Sequence, residues 1–335
     1  MKTTSLVSTL LLVLAGCASD DITQPLDDTL FIQEVSEQTS SKNLDTKSAT
    51  TYRYTLQKQV QDIRVTFNSK FLTSPDQIST QSNESYTYDN NGFLTTKSYT
   101  ETTENTTSTG KTTTQKQFDT QYSYQAGKLI SQTKVERTIR PNGTTTLTIN
   151  TTYEYDTAGK IAKQTIKRSD SYEETRTFSN GQLVAITAKS VSGNEGYKIT
   201  NGLVERITYP DGRYATYEYD TLQRLVKSTV YDANGTINMY YTIEWANAKP
   251  HNLSLPLLKG HPDEQAVNGK QGIMAAYRFW GDVNGKMTQL NESLYTSQTN
   301  TQGFVTNTIL KNQQFGLTAS DPVEVINTTI VYKYQ

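Results

Sequence analysis

One short unit recurs along the chain and constrains its fold more than any other feature. It reads Tyr-x-Tyr, a polar turn holding Gly, then an apolar-polar strand. The clearest copy is Tyr153-Glu154-Tyr155-Asp156-Thr157-Ala158-Gly159-Lys160-Ile161. Other copies run from Tyr86 and Tyr88 through Gly92 to Leu94, and from Tyr122 and Tyr124 through Gly127 to Leu129. In the copy from Tyr217 and Tyr219 to Leu225, Gln223 replaces the turn Gly. Weaker copies centre on Gly181 and Gly202. The turn positions 159, 181, 202 and 223 lie 22, 21 and 21 residues apart. At about 3.3 Å per residue, that interval holds two strands of roughly 7–9 residues and two turns, which is one hairpin. Asn142-Gly143, Asp211-Gly212 and Asn234-Gly235 supply the return turns, because such pairs give the positive φ of tight hairpins. No segment sustains a helical period. The fold class is therefore all-β: a long antiparallel meander of repeated hairpins forming a curved or partly closed barrel-like sheet. Turn spacing of about 10–12 residues predicts roughly 16–20 strands.

Composition agrees and removes several functions. Thr is the commonest residue and Tyr numbers 22; both favour strands. Hydrophobic residues make up 34% and the net charge is −1, so no basic face for nucleic acid is expected. One Cys excludes an intramolecular disulfide framework and a multi-Cys metal site. Two His leave little for a His-based metal centre. A mean hydropathy of −0.63 without a long apolar run argues against a helical membrane bundle. Strands filled with Lys, Gln, Thr and Glu between Tyr and Ile argue against a lipid-facing barrel, which needs an apolar belt.

The single Cys has a specific setting. Lys2 precedes an apolar stretch from Leu6 to Leu14 that is too short to span a bilayer and reads as a secretion signal. Leu14-Ala15-Gly16-Cys17 resembles the lipobox of bacterial lipoproteins. The resemblance implies cleavage before Cys17, acylation of its thiol and a membrane anchor without a span. Ala18-Ser19-Asp20-Asp21 resembles, in part, the export signal of surface-exposed lipoproteins of Bacteroidota. Residues 1–16 are thus read as signal peptide and 17–50 as a flexible tether, since their Ser, Thr, Asp and Gln content leaves too little apolar surface to fold. Residues 51–335 form one β domain.

Within that domain Tyr209-Pro210-Asp211-Gly212-Arg213-Tyr214-Ala215-Thr216-Tyr217-Glu218-Tyr219-Asp220 through Leu225 resembles a YD repeat of the Rhs type. The likeness extends loosely over residues 80–245. Rhs proteins use many such repeats to build a shell around a toxin, and this chain is too short for that. It is more similar to short, lipid-anchored YD-repeat proteins of Bacteroidota with porin-like sheets, which implies a meander with no established activity. Residues 246–272 hold Pro250, Pro256, Pro262, His251 and His261 and are expected to form a loop or cap, because Pro cannot donate to a ladder. Terminal strands are expected over 273–335.

Chemistry-bearing residues are few. Glu154, Asp156, Glu218 and Asp220 recur beside turns, so their expected work is to start the turn by bonding nearby backbone. No phosphate loop, catalytic set, metal site or cofactor is expected. The Tyr-x-Tyr pairs share one face. Such a face serves cross-strand packing or stacks on a sugar or peptide. Trp245, Tyr277, Phe279 and Trp280 interrupt the repeat and are the binding candidates. Thr29, in Asp28-Thr29-Leu30, resembles the O-glycosylation motif of Bacteroidota. The expected function is a non-enzymatic, lipid-anchored outer-membrane or cell-surface scaffold that binds a glycan, peptide or partner lipoprotein. The alternative is a periplasm-facing envelope factor that carries a lipid or assists assembly. The lining of the curl separates them: apolar for lipid, polar and Tyr-lined for glycan or protein.

Overall fold

A computed structural model describes residues 32–41, 44–55, 59–72, 74–246, 273–301, 304–315 and 324–334. Among the described residues there are twenty strands. The first five are β1 (Ile32–Ser40), β2 (Leu44–Tyr54), β3 (Val60–Phe71), β4 (Gln77–Tyr88) and β5 (Leu94–Thr107). Next come β6 (Gly110–Gln125), β7 (Lys128–Arg140), β8 (Gly143–Tyr155), β9 (Ile161–Arg168) and β10 (Glu173–Ser179). Then follow β11 (Gln182–Ser190), β12 (Gly193–Thr200), β13 (Leu203–Thr208), β14 (Tyr214–Tyr219) and β15 (Leu225–Tyr231). The last are β16 (Ile237–Trp245), β17 (Met274–Val283), β18 (Lys286–Thr299), β19 (Val305–Gln314) and β20 (Glu324–Tyr334). Each strand pairs antiparallel with the next, and β1 also pairs with β20, with Val35 opposite Tyr332 and Thr39 opposite Thr328. The meander therefore closes completely into a twenty-stranded barrel.

That closure corrects the tether. Residues 32–50, expected to be unfolded, are β1 and most of β2. Their polar composition does not prevent folding, because each strand has a neighbour on both sides and small polar side chains pair across the ladder. Thr39 and Thr328 share a buried hydrogen bond of 2.7 Å, and Thr46 donates to Ser69 at 3.1 Å. The barrel begins at Ile32, not at residue 51. Residues 1–31, with Cys17 and Thr29, and 247–272, with His251 and His261, lie outside the described residues.

Nearly all buried side chains share one face, on which the Tyr-x-Tyr pairs also lie. This is the concave face, since side chains inside a cylinder converge while those outside splay. Twenty strands enclose more room than side chains fill; barrels of ~16–18 strands already leave an aqueous channel. Three apolar clusters follow the wall through neighbouring strands: one around Leu129, Ile161 and Leu183, one around Val60, Tyr86 and Leu94, one around Val35, Val305 and Tyr332. All three sit near the rim that carries the Tyr-x-Tyr turns, here called the aromatic rim.

Every described hairpin pairing that turns at this rim carries the same irregularity. The returning strand holds one extra residue after its first or second: Gln61, Thr95, Ile130, Ala162, Val184, Glu205, Val226, Ala275 and Thr306. Such a β-bulge bends and twists the strand. It also moves the inward positions by one, so the residue just before the extra one and the third residue after it both face the lumen. Leu94 is followed inside by Lys97, Leu129 by Gln132, Leu183 by Ile186 and Leu225 by Ser228.

The hairpins then part from one another at the rim. The β7–β8 ladder stops at Ser131 opposite Thr152, and the β13–β14 ladder at Arg206 opposite Thr216. Beyond the last pair, the second aromatic residue of the unit closes the seam with its side chain. Tyr88 donates to the Val60 carbonyl (2.9 Å), Tyr155 to that of Leu129 (2.7 Å) and Tyr219 to that of Val204 (2.9 Å). Tyr334 donates likewise to Val305. Burial pushes the hydroxyls of Tyr88, Tyr219 and Tyr334 up to about 12, which keeps them protonated donors.

The turns follow the sequence pattern. Gly159 has φ +83° and Gln223, in the same place, φ +63°, a conformation that costs a residue bearing a Cβ roughly 1–2 kcal/mol. Asp156 accepts the backbone N–H of Lys160, and Asp220 those of Leu222 and Arg224. Glu154 pairs with Lys163 and Glu218 with Lys227 on the exposed face, each at 3.0 Å. The recurring acids thus serve turns and cross-strand ion pairs.

Candidate functional site

The four aromatic candidates do not form one surface. Trp245 occupies the place of the second Tyr of the unit. It follows the bulge pairing of β16 with β17 and donates Nε1–H to the Leu225 carbonyl at 2.9 Å. Tyr277 and Phe279 face the lumen, and Tyr277 packs against Tyr241 with ring centres 5.5 Å apart. Trp280 points outward and stacks on Tyr240 at 4.6 Å, beside the Arg278 ion pairs to Glu244 and Glu292.

The lumen face of β4–β7 carries a different group of residues. Cross-strand register lays it out in rows. One row runs Tyr86, Lys97, Thr120, Lys134, Ile149. The row farther from the aromatic rim runs Glu84, Tyr99, Phe118, Glu136, Leu147. The row nearer that rim holds Tyr122 opposite Gln132. Thr120 is small and buried between two long lysines, so a hollow of about 300 Å³ opens there. Glu84, Lys97, Tyr99, Phe118, Gln132 and Lys134 surround it.

The walls of this hollow are held in place. Tyr99 and Phe118 stack with centroids 5.0 Å apart and planes 10° off parallel. Such a pair adds roughly 0.5–1.5 kcal/mol beyond burial. The Lys134 ammonium lies 4.6 Å from the Phe118 ring centre, and Lys97 5.3 Å from that of Tyr86. Lys97 is ion-paired with Glu84, and Lys134 with Glu136 at 2.6 Å. Tyr86 donates to Glu84 and Tyr99 to Glu101, each at 2.6 Å. Burial first, then these carboxylates, push both Tyr hydroxyls far above their ordinary range.

The lumen of the shorter strands is arranged otherwise. Glu174, Ala188 and Glu195 form one row, and each carboxylate accepts a Tyr hydroxyl, from Tyr172 and Tyr197. Arg176 neutralises Glu174. Around them stand Ile186, Ile199, Val204 and Ile207. A second concavity of about 770 Å³ opens on the outer face where β13 and β14 part, lined by Lys198, Glu205, Thr216 and Glu218. Its charged groups are already engaged, Lys198 with Glu205 at 2.7 Å and Glu218 with Lys227. Among the described residues no group of three His, Cys, Asp or Glu could hold a metal ion.

Sequence reasoning missed Lys97, Thr120 and Lys134. Counting by twos from Leu94 sends Lys97 and Tyr99 outward; the extra Thr95 turns them in. Working back by twos from the inward Tyr122 and Tyr124 does place Thr120 and Phe118 correctly.

Residues 200–237, from the end of β12 to the start of β16, match the family model described as RHS Repeat. No curated protein matches the chain. Among solved structures it is similar to a porin-like protein from Bacteroides uniformis ATCC 8492, at 10% identity and a TM-score of 0.38, covering 91% of this chain and 96% of that one. It is also similar to a porin-like protein from Bacteroides vulgatus ATCC 8482, at 8% identity and a TM-score of 0.30, covering 91% of this chain and 98% of that one.

Proposed function

We propose that the chain is a non-enzymatic, lipid-anchored protein of the outer membrane and cell surface, whose barrel is a scaffold that binds a polar ligand. The observation that carries this reading is the polarity of both barrel faces. An outer row of the long strands reads Asn83, Thr100, Gln117, Arg137, Thr146, and the lumen row beside it holds Glu84 and Glu136. A lipid-facing barrel needs an apolar band ~25 Å tall, and neither face offers one. Such a barrel reaches a membrane through an anchor, and Cys17 in its lipobox setting supplies it. In sequence Cys17 lies 15 positions ahead of Ile32, the first residue of β1. Ile32 pairs with Tyr334 at the aromatic rim, so that rim faces the membrane. The charged lumen supports a glycan or protein ligand over a lipid.

The test is fractionation of cells making the chain or its Cys17→Ser variant. The chain should stay with the outer membrane through a high-salt wash and leave with detergent, while the variant is released. Protease added to intact cells should cleave the wild-type chain. A variant that stays membrane-bound, or a chain shielded on intact cells, would overturn the anchor or the surface placement respectively.

A further inference from the structure

We infer that the hollow over Thr120 is a carbohydrate site that seats a hexose unit of a neutral glycan. This rests on the binding-protein reading above and names the ligand class.

Three observations select that class. First, every described strand has a neighbour on both sides, so the barrel presents no free edge to which a peptide could add as a strand. Second, the lining is mixed. Lys97 and Lys134 donate, Glu84 accepts, and Gln132 and Thr120 do both. A pyranose offers that alternation of hydroxyl donors and acceptors on a compact ring with an apolar C–H face, and the stacked Tyr99–Phe118 pair gives such a ring a rigid aromatic side. A lipid chain would find two ammoniums and a carboxylate in its path. Third, each lysine is already neutralised, Lys97 by Glu84 and Lys134 by Glu136, so no bare charge calls for an anion. About 300 Å³ lies at the small end of ligand pockets, ~300–1,000 Å³, which suits one or two sugar units rather than a long chain.

The site also stands apart from the repeat. The matched Rhs segment lies in β12–β16, whereas the hollow is built from β4–β7.

The experiment titrates the full-length chain, in detergent, with maltotetraose, cellotetraose and mannotetraose by calorimetry. Tetragalacturonate, inorganic phosphate and hexa-alanine serve as comparison probes. At least one neutral tetrasaccharide should bind, and Lys134→Gln/Gln132→Ala should weaken it at least tenfold. Lys311→Gln, on the outer face, should leave it unchanged. Phe118→Leu keeps the apolar bulk and loses the ring; it should weaken binding while the near-ultraviolet dichroism outside that ring stays native. Binding of no neutral saccharide overturns the assignment, as does binding that both lumen variants leave intact. Tenfold tighter binding of tetragalacturonate or phosphate makes the hollow an anion site and overturns the neutral-sugar assignment. Hexa-alanine bound with the same sensitivity to the variants replaces glycan by peptide. If Cys17→Ser frees the chain while no saccharide binds, the glycan assignment fails and the envelope reading stands.

Discussion

The wall from β4 to β8 and the wall from β9 to β16 start at the same rim and end at different heights. Strands of the first run 12–16 residues, those of the second 6–9. At the rim they are built alike. Leu94 and Leu183 are both fully buried one place before a bulge, and Tyr155 and Tyr219 both bond across a seam. Above the rim they diverge. The short wall adds only two brief rows, Arg176–Ile186 and Glu174–Ala188–Glu195, whose carboxylates are taken up by Tyr172, Tyr197 and Arg176. The long wall continues in Thr, Lys, Glu and Gln, and there the hollow lies. The repeat is therefore the unit of construction, and the length added beyond it is where chemistry has room.

The severest way to break that comparison is to remove a bulge residue. Deleting Val184 turns Ile186 and Ala188 outward and should cost several kcal/mol, at roughly 1.5–3 kcal/mol per large buried side chain. Deleting Thr95 exchanges polar for polar on the long wall and should cost less by urea denaturation, while abolishing saccharide binding. Equal costs would mean the two walls do not differ above the rim. Next come Leu94→Ala and Leu183→Ala, each expected to cost about 2–5 kcal/mol and, because the rim layer is shared, to agree within about 1 kcal/mol. Alkali offers a third test. The seam tyrosines Tyr88, Tyr219 and Tyr334 have folded values raised to about 12 against about 10 unfolded, so their contribution is complete below pH 10 and is lost as pH rises toward 12. The melting temperature should hold from pH 8 to 9.5 and then fall steeply.

Smaller effects sharpen the comparison. Tyr155→Phe and Tyr219→Phe should each cost about 0.5–1.5 kcal/mol. Hydrogen exchange should increase more around Tyr219, because the β13–β14 ladder runs only from Arg206–Thr216 to Thr208–Tyr214. Gln223→Gly should stabilise by about 0.5–1 kcal/mol, since Gly takes φ +63° without strain. No gain in urea midpoint would mean that Gln223 is held by contacts worth as much as its strain.

Much of this architecture is written locally. Tyr pairs two apart, Gly at the turn and the 21-residue interval announce hairpins, and the strand number follows from turn spacing. What is not local was not legible. Pairing of β1 with β20 joins Val35 to Tyr332 across almost the whole chain, and a Ser/Thr/Gln strand looks unfolded until both neighbours are in place. The bulges change inward parity by one residue without changing composition, which hid the Lys97–Thr120–Lys134 row. Trp245 drew notice as an exception, yet it performs the duty of the second Tyr.

The double pairing of β1 has a mechanical consequence. A pull on the chain ahead of Ile32 runs along the strand, against the antiparallel ladders from Glu34–Thr51 to Ser40–Asp45 on one side and from Ile32–Tyr334 to Ser40–Asn327 on the other. Loaded this way, the two ladders resist in shear, all rungs at once, rather than peeling open one by one. The strand that completes the barrel is thus also the one best placed to bear a tensile load arriving from the N-terminal side.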